Sequence, residues 1–302
     1  MLGIPETQLD TWASQGSIKQ SADTYGIIKN ALESTGRPYA DKASKVFLQG
    51  SYGNDTNVFR DSDVDVVIRM DAAHYRDTTR MTPPEVAAYN QAYPGGGFTL
   101  PDFKKLVVQH LYDKFPNCVM PGNKAVEVLG NQSGRRDADV LVCAQLRRYY
   151  GFTAIGNERY VEGICFFLPD GTRVDNFPER HSANCSLKHQ KSGANYKPMV
   201  RIFKNMRNKM IEDRLIQEGL APSYFIEGML YNVPNGHFTN NYGDTFVQCF
   251  SWLQNTDRST LLCAHGLDPL LAKGSKTAWD PDHCTKFLEA LAGFWNSWGK
   301  VE

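Results

Sequence analysis

The chain carries no net charge. Its 302 residues hold 33 basic and 33 acidic side chains, so it lacks the broad positive field with which proteins grip long duplex DNA. It also lacks an apolar stretch of membrane-spanning length and a secretory leader pattern at its start, so no membrane association and a cytoplasmic location are expected. There is no disulfide framework either: seven scattered cysteines, odd in number, read as reduced buried thiols. Cys263-Ala264-His265 with His283-Cys284 could in principle supply four zinc ligands, but their spacing matches no zinc motif. Internal repeats, low-complexity tracts and an unstructured linker are missing as well. With 41% hydrophobic residues, the chain can bury a sizeable core in one bilobal unit or two closely docked domains.

What the sequence does contain is concentrated early. Gln49-Gly50-Ser51-Tyr52-Gly53-Asn54 is a small-residue turn after the strand-like Phe47-Leu48, and Asp63-Val64-Asp65-Val66-Val67-Ile68 follows within a short loop. The turn can bring backbone N–H groups close to a triphosphate. Asp63 and Asp65 are two apart in a β-branched run, so on a strand both face one way while Val64, Val66 and Ile68 face the other. Two carboxylates aimed at one spot repel unless a cation lies between them, and Mg²⁺ favours one or two carboxylates plus phosphate oxygens and water. A strand end with solvated acids is the structural alternative for a lone D-x-D. Asp61 is a further possible ligand, though it reads better as a turn residue of the 56–62 loop.

Two-metal displacement calls for a third acid at the start of another apolar strand. Asp139 in Asp137-Ala138-Asp139-Val140-Leu141-Val142 fits best, Asp137 is sterically equivalent, and Asp175 in Arg173-Val174-Asp175-Asn176 is the weaker choice. Further on, Tyr196 to Leu215 reads as a helix with Val200, Phe203, Met206 and Met210 on an apolar stripe and Arg201, Lys204 and Asn208 on another. Ser223 and Tyr224 follow Pro222 at a helix start, where free N–H groups, a hydroxyl and an aromatic ring can meet phosphate and base. A solvated basic face and a core tyrosine are the structural alternatives. Asn176 offers a donor and an acceptor that could read a base edge, or close the turn before Phe177-Pro178. Basic stretches at Arg135-Arg136 and from Lys188 to Arg214 suffice for small polyphosphates.

Taken in order, G-S-Y, D-V-D, A-D-V, K-P-M-V-R-I-F-K and P-S-Y-F-I-E-G-M-L-Y-N resemble the bacterial cGAS/DncV-like nucleotidyltransferases, and within them the CdnE-type clade. The resemblance runs from about residue 8 to the end. It implies an α+β fold: a polymerase-β-like nucleotidyltransferase core with a mixed sheet (residues 1–190, with an N-terminal spine helix) and an OAS-like helical C-terminal lobe (191–302), bilobal with a central cleft. It further implies two Mg²⁺ ions, replaceable by Mn²⁺, held by Asp63, Asp65 and Asp139, with Asp139 helping to deprotonate the attacking ribose hydroxyl. Gln49, Gly50 and Ser51 would meet substrate, Lys204 would grip the donor triphosphate, Ser223 would meet phosphate, Tyr224 would stack on a base, and Asn176 would go with uracil selection. The implied substrates are nucleoside triphosphates, ATP and UTP first, and the implied product is a cyclic dinucleotide such as cyclic UMP-AMP or di-UMP. It would signal in antiphage defence to a product-gated effector, from a monomeric enzyme. A transferase making linear products or modifying RNA or protein would use the same three carboxylates. An inactive nucleotide sensor would not need such costly charge clustering.

The coarse layout is a helix from Leu9 to Ser34, broken near Gly16, with Ile18, Tyr25 and Ile28 as burial candidates. Strands follow at 46–49, 64–69, 138–143 and 163–168. The prolines at 83–84 and the 94–97 glycine run read as loop around a short helix, and Asp102–Lys114 as a longer one. Helices at 224–232, 244–256 and 284–298 then dominate.

Overall fold

The computed structural model describes residues 3–16, 18–59, 63–131 and 134–299; Asp61 lies outside them. In chain order the elements are α1 (Glu6–Ala13), α2 (Lys19–Leu32), β1 (Ser44–Leu48), α3 (Gly50–Gly53), β2 (Val64–Asp77), α4 (Pro83–Ala92) and α5 (Leu100–Lys114). Then come β3 (Val119–Pro121), β4 (Val126–Val128), β5 (Ala138–Phe152), β6 (Glu158–Phe167) and β7 (Arg173–Asn176), and finally α6 (Pro178–Lys191), α7 (Tyr196–Glu212), α8 (Ser223–Asn232), α9 (Tyr242–Asn255) and α10 (Pro281–Ser297). They form two compact units, each discontinuous in sequence. One comprises the described parts of Met1–Ile18, Gly50–Ser62 and Glu179–Glu302; the other comprises Lys19–Gln49 and the described parts of Asp63–Pro178.

The second unit is built on a mixed seven-stranded sheet in the order β1-β2-β5-β4-β3, with β6 also on β5 and β7 on β6. β2 and β5 run parallel, and the other pairings are antiparallel. β5 is long enough to carry β4 along Ala138–Val140 and β6 along Ala144–Phe152. Paired on both edges, β2 and β5 read as near-continuous apolar runs: Val64, Val66, Val67, Ile68, Val140, Val142 and Leu146 are all buried. Both strands run well past the ends that the apolar runs suggest, and Arg69 is buried in β2 by ion pairs to Asp71 and Glu162, each 2.6 Å.

The helical unit is organised on α7, whose Val200, Phe203, Met206 and Met210 are fully buried, as their spacing predicts. They join Leu9 of α1, Ile226 and Leu230 of α8, Phe246 of α9 and Phe287 of α10 in one core cluster.

Some local readings need correction. The N-terminal segment does break near Gly16, into α1 and α2: Gly16 donates to Asn57 O (3.1 Å), and a Cβ there would stand 2.8 Å from the Val58 carbonyl. At that break Ile18 is 54% exposed, whereas Ile28 is buried. Pro83 and Pro84 open α4 instead of preceding it, since Pro83 occupies the first helical position and Glu85 accepts the Thr82 N–H at 2.8 Å. α6 and the β3–β4 hairpin carry too few apolar residues or too short a run to be read from periodicity.

Candidate active site

The β2–β5 register places Asp65 directly opposite Asp139, and the β4–β5 register places Glu127 opposite Asp139 on its other side. Paired residues share a sheet face, so Asp65, Asp139 and Glu127 form one row of carboxylates across three strands. Asp63 stands just before β2 and is exposed. The Asp139 pKa is raised, first by burial and then by the charges of Asp63, Glu127 and Asp137. Asp137 is otherwise employed: its Oδ1 accepts the Gly130 N–H at 2.6 Å, closing the turn before β5. Asp175 is in register with Cys165, which pairs with Ala144, five residues along β5 from Asp139, or about 16 Å away at strand rise. It pairs with Arg173 at 2.9 Å and does not join the row.

Gln49 continues the β1–β2 ladder by donating its N–H to Asp65 O at 3.0 Å, and its side-chain oxygen is buried without a hydrogen-bond partner among the described residues. Asn176 lies on β7 opposite Ile164, and its Oδ1 accepts the Phe177 N–H at 2.8 Å. The amide therefore closes the turn with one of its two functions.

The remaining expected residues lie in the helical unit. Gly50 adopts φ +71°, a left-handed turn that a side chain would strain, and it delivers Ser51 into α3. Lys204 on α7 is fully buried, yet its Nζ donates to Ser51 Oγ (2.8 Å) and Thr56 O (2.9 Å). Helix α7 thus presents an ammonium to the serine of the turn. Lys197 pairs with Asp55 at 2.7 Å, and Arg201 donates to Asp55 O at 2.6 Å, fixing Asp55 in its left-handed conformation (φ 56°). At the start of α8, Ser223 Oγ accepts from Arg207 Nη1 (3.1 Å), and Tyr224 stacks on His181 with ring centroids 4.8 Å apart at 26°.

Sequence reasoning missed four residues here: Glu127, His181, Arg207 and Glu227. Glu127 sits in a strand of three residues, and the other three become visible only once helices pack. Glu227 is the anchor of a buried network, accepting from Asn54 Nδ2 (2.9 Å), Thr56 Oγ1 (2.5 Å) and His181 Nε2 (2.7 Å). Its pKa is lowered: burial works against its charge, but His181, Lys204 and Thr56 outweigh it.

His181, Cys185 and Glu227 bring donor atoms within 4.8 Å of one another. The Glu227 oxygens are already engaged by three donors, and Cys185 Sγ lies 3.2 Å from Tyr196 Oη, so the carboxylate and the thiol of this grouping already have hydrogen-bond partners. Among the described residues, Cys263, His265, His283 and Cys284 form no such grouping. His265 Nδ1 accepts from Leu267 N (3.2 Å), and Cys263 Sγ donates to Pro269 O (3.4 Å).

Opposed strand-borne carboxylates are groups suited to holding a divalent cation. A family model for the cGAS/DncV-like nucleotidyltransferase C-terminal helical domain matches residues 183–296. The cyclic UMP-AMP synthase of Rhodothermus marinus (strain SG0.5JP17-172) is 34% identical over 299 residues, 98% of this chain and 99% of the relative. The cyclic nucleotide synthase CdnE01 of Staphylococcus haemolyticus is 32% identical, again over 98% and 99%. Among solved structures, the Rhodothermus marinus CdnE c-UMP-AMP synthase with Apcpp and Upnpp superposes with a TM-score of 0.86 at 33% identity, covering 99% of both chains. The chain belongs to the cGAS/DncV-like nucleotidyltransferases, in their CdnE-type clade. Its α+β architecture, with a mixed sheet and a helical C-terminal domain, is that of this clade.

Proposed function

We propose that this protein joins two nucleoside triphosphates into a cyclic dinucleotide, with a uridine-containing product first in line. The observation that carries the reading is the Asp65–Asp139 opposition on β2 and β5, in a chain similar end to end to a cyclic UMP-AMP synthase. Curated relatives at similar identity include a cyclic dipurine synthase and cyclic dipyrimidine synthases, so overall likeness leaves the bases open. Asn176 is what favours uracil, as an amide able to pair with a base edge.

The carboxylate row fits a hard divalent cation. Its donors are all oxygen, and the charged form of Asp139 is disfavoured first by burial and then by neighbouring negative charge, which a cation would offset. Asp63, Asp65 and Asp139 would hold Mg²⁺ or Mn²⁺, which when bound polarises the reacting phosphate and lowers the pKa of a coordinated hydroxyl. Lys204 and Ser51 hold the donor triphosphate, Ser223 adds a hydroxyl to the phosphates, and Tyr224 stacks on a base. Asp139 receives the proton of the acceptor ribose hydroxyl. That oxygen bonds to the donor α-phosphorus as the bond to pyrophosphate breaks, and a second transfer of the same kind closes the ring. The family context is antiphage signalling through a nucleotide-gated effector.

The deciding experiment incubates purified protein with Mg²⁺ or Mn²⁺ and labelled triphosphates, omitted one at a time, followed by phosphatase and mass analysis. A phosphatase-resistant product lacking the water of a free terminus supports the proposal, and the omissions name its bases. Phosphatase-sensitive linear products, or none in any mixture, would overturn it.

A further inference from the structure

Glu227 lies 2% exposed in the helical unit, and burying a carboxylate carries a large desolvation cost unless its oxygens are fully bonded. Here they are bonded by groups from different parts of the unit: Asn54 and Thr56 of the turn after Gly50, and His181 of α6. Two of these partners, Thr56 and His181, lead directly to residues assigned to the nucleotide. Thr56 offers its carbonyl to Lys204 Nζ, and Lys204 also holds Ser51 Oγ. His181 lies under the Tyr224 ring, at 4.8 Å and 26°. Glu227 is itself three residues beyond Tyr224 on α8, and about one helical turn beyond Ser223. A single carboxylate therefore ties the phosphate-holding turn and the base-stacking ring into one rigid body.

We propose that Glu227 and His181 are positioning residues for the donor nucleotide. Glu227 fixes the Asn54–Thr56 stretch, and with it Ser51, for the triphosphate; His181 backs the Tyr224 ring for the base. This rests on the nucleotide reading above. A hydrophobic filling of the same volume would often be as stabilising as such a buried charge pair, but it would leave the turn untethered. The short, charge-assisted bonds set direction as well as energy.

The two arms separate experimentally through two probes, a non-hydrolysable nucleoside triphosphate and inorganic tripolyphosphate, titrated calorimetrically against the full chain. Glu227→Gln turns one acceptor oxygen into a donor facing donors. It is expected to weaken both probes about tenfold or more, the cost of one broken buried hydrogen bond. Thr56→Val, which keeps the backbone carbonyl for Lys204 and leaves Asn54 and His181 on Glu227, should do the same to a smaller degree and serves if Glu227→Gln does not fold. His181→Gln can keep the bond to Glu227 but loses the ring stack, so it should weaken the nucleoside triphosphate while leaving tripolyphosphate as in the parent. His181→Phe keeps a ring but loses the bond, and should weaken both. Folded variants that bind both probes as the parent does would overturn the proposal, as would equal losses for the two probes in His181→Gln. Because binding needs no turnover, a parent that binds nucleotide but makes no cyclic product would defeat the proposed reaction and leave this test intact.

Discussion

Asp65 and Asp139 occupy opposed positions on neighbouring parallel strands, with Glu127 opposed to Asp139 on the far side. Like charges directly across a sheet are destabilising, and the Asp139 pKa is raised, first by burial and then by the charges of Asp63, Glu127 and Asp137. A protein that tolerates such a row without a cation gains when one binds. This links the strand register to the expected chemistry.

Replacing Asp65 or Asp63 by Asn should cut product formation by about a thousandfold or more, on the scale of losing an essential catalytic group, with near-parent circular dichroism. Product made at the parent rate by either variant would remove the metal reading.

Asp139→Asn separates catalysis from folding. Because the native environment raises the Asp139 pKa, its ionised form costs stability at neutral pH. In chelator the variant should melt no lower than the parent, and a degree or two higher is about what a fraction of a kcal/mol gives. Adding Mg²⁺ should raise the parent's melting temperature and leave the variant's nearly unchanged. An equal Mg²⁺ shift in both proteins would contradict the assignment.

Lys204 is expected to be irreplaceable even by arginine. Its ammonium is fully buried between Ser51 Oγ and Thr56 O, and a planar guanidinium is bulkier and points its donors differently. Steady-state kinetics of Lys204→Arg and Lys204→Met should both show KM for triphosphate up by about tenfold or more, in line with a charge-assisted contact. Full recovery by arginine would mean that charge alone matters there.

These residues were legible in the sequence to different degrees. The D-V-D run advertises itself because strand alternation and valine content coincide, and the apolar stripe of α7 does so through helical period. Lys204 was legible as a cation on a second stripe, but its complete burial was not, since that depends on where the turn after Gly50 packs. Glu127, His181 and Glu227 gave no signal. Glu127 acquires meaning only through register with Asp139, and Glu227 looks like an ordinary helical acid until Asn54, over 170 residues earlier, is placed against it. The Gly16 break was legible as a glycine, but its cause, the close approach of Val58, was a matter of tertiary packing.

The proposed base preference is assigned to Asn176. Its Oδ1 is engaged by the Phe177 N–H, so any reading of a base would rely on its Nδ2 donor. Asn176→Ser should keep the turn, because a hydroxyl can accept the same kind of local bond, and should lower the preference for uridine by about tenfold, the worth of one hydrogen bond lost to a base. Competition between labelled UTP and the purine triphosphates reads this directly, and an unchanged product ratio would assign Asn176 to the turn alone.

The His181–Glu227 pair predicts how stability depends on pH. Burial works against charge on His181, but the Cys185 thiol and the Glu227 carboxylate beside its ring outweigh it and push its pKa up to about 10. A group raised in the folded state stabilises fully below its unfolded pKa, 6.5, and loses that contribution as pH rises through the folded value. Glu227 is shifted the other way, so its contribution is present above 4.5 and lost as pH falls through its depressed folded pKa. The pair is therefore at full strength between about pH 4.5 and 6.5 and fades toward pH 10. Other groups around the pair, Lys204, Tyr196, Tyr224 and Cys185, remain in place in a His181→Gln variant. Lys188, also on α6, acts oppositely: burial lowers its pKa to about 8, so stability rises with pH from there toward the unfolded value. The useful quantity is accordingly the difference in melting temperature between parent and His181→Gln, in which the Lys188 contribution cancels. That difference should be largest near pH 6, at about 2 to 4 °C for each kcal/mol, and shrink steadily by pH 9.5. A difference that stays flat across this range would show that His181 is neutral in the folded protein.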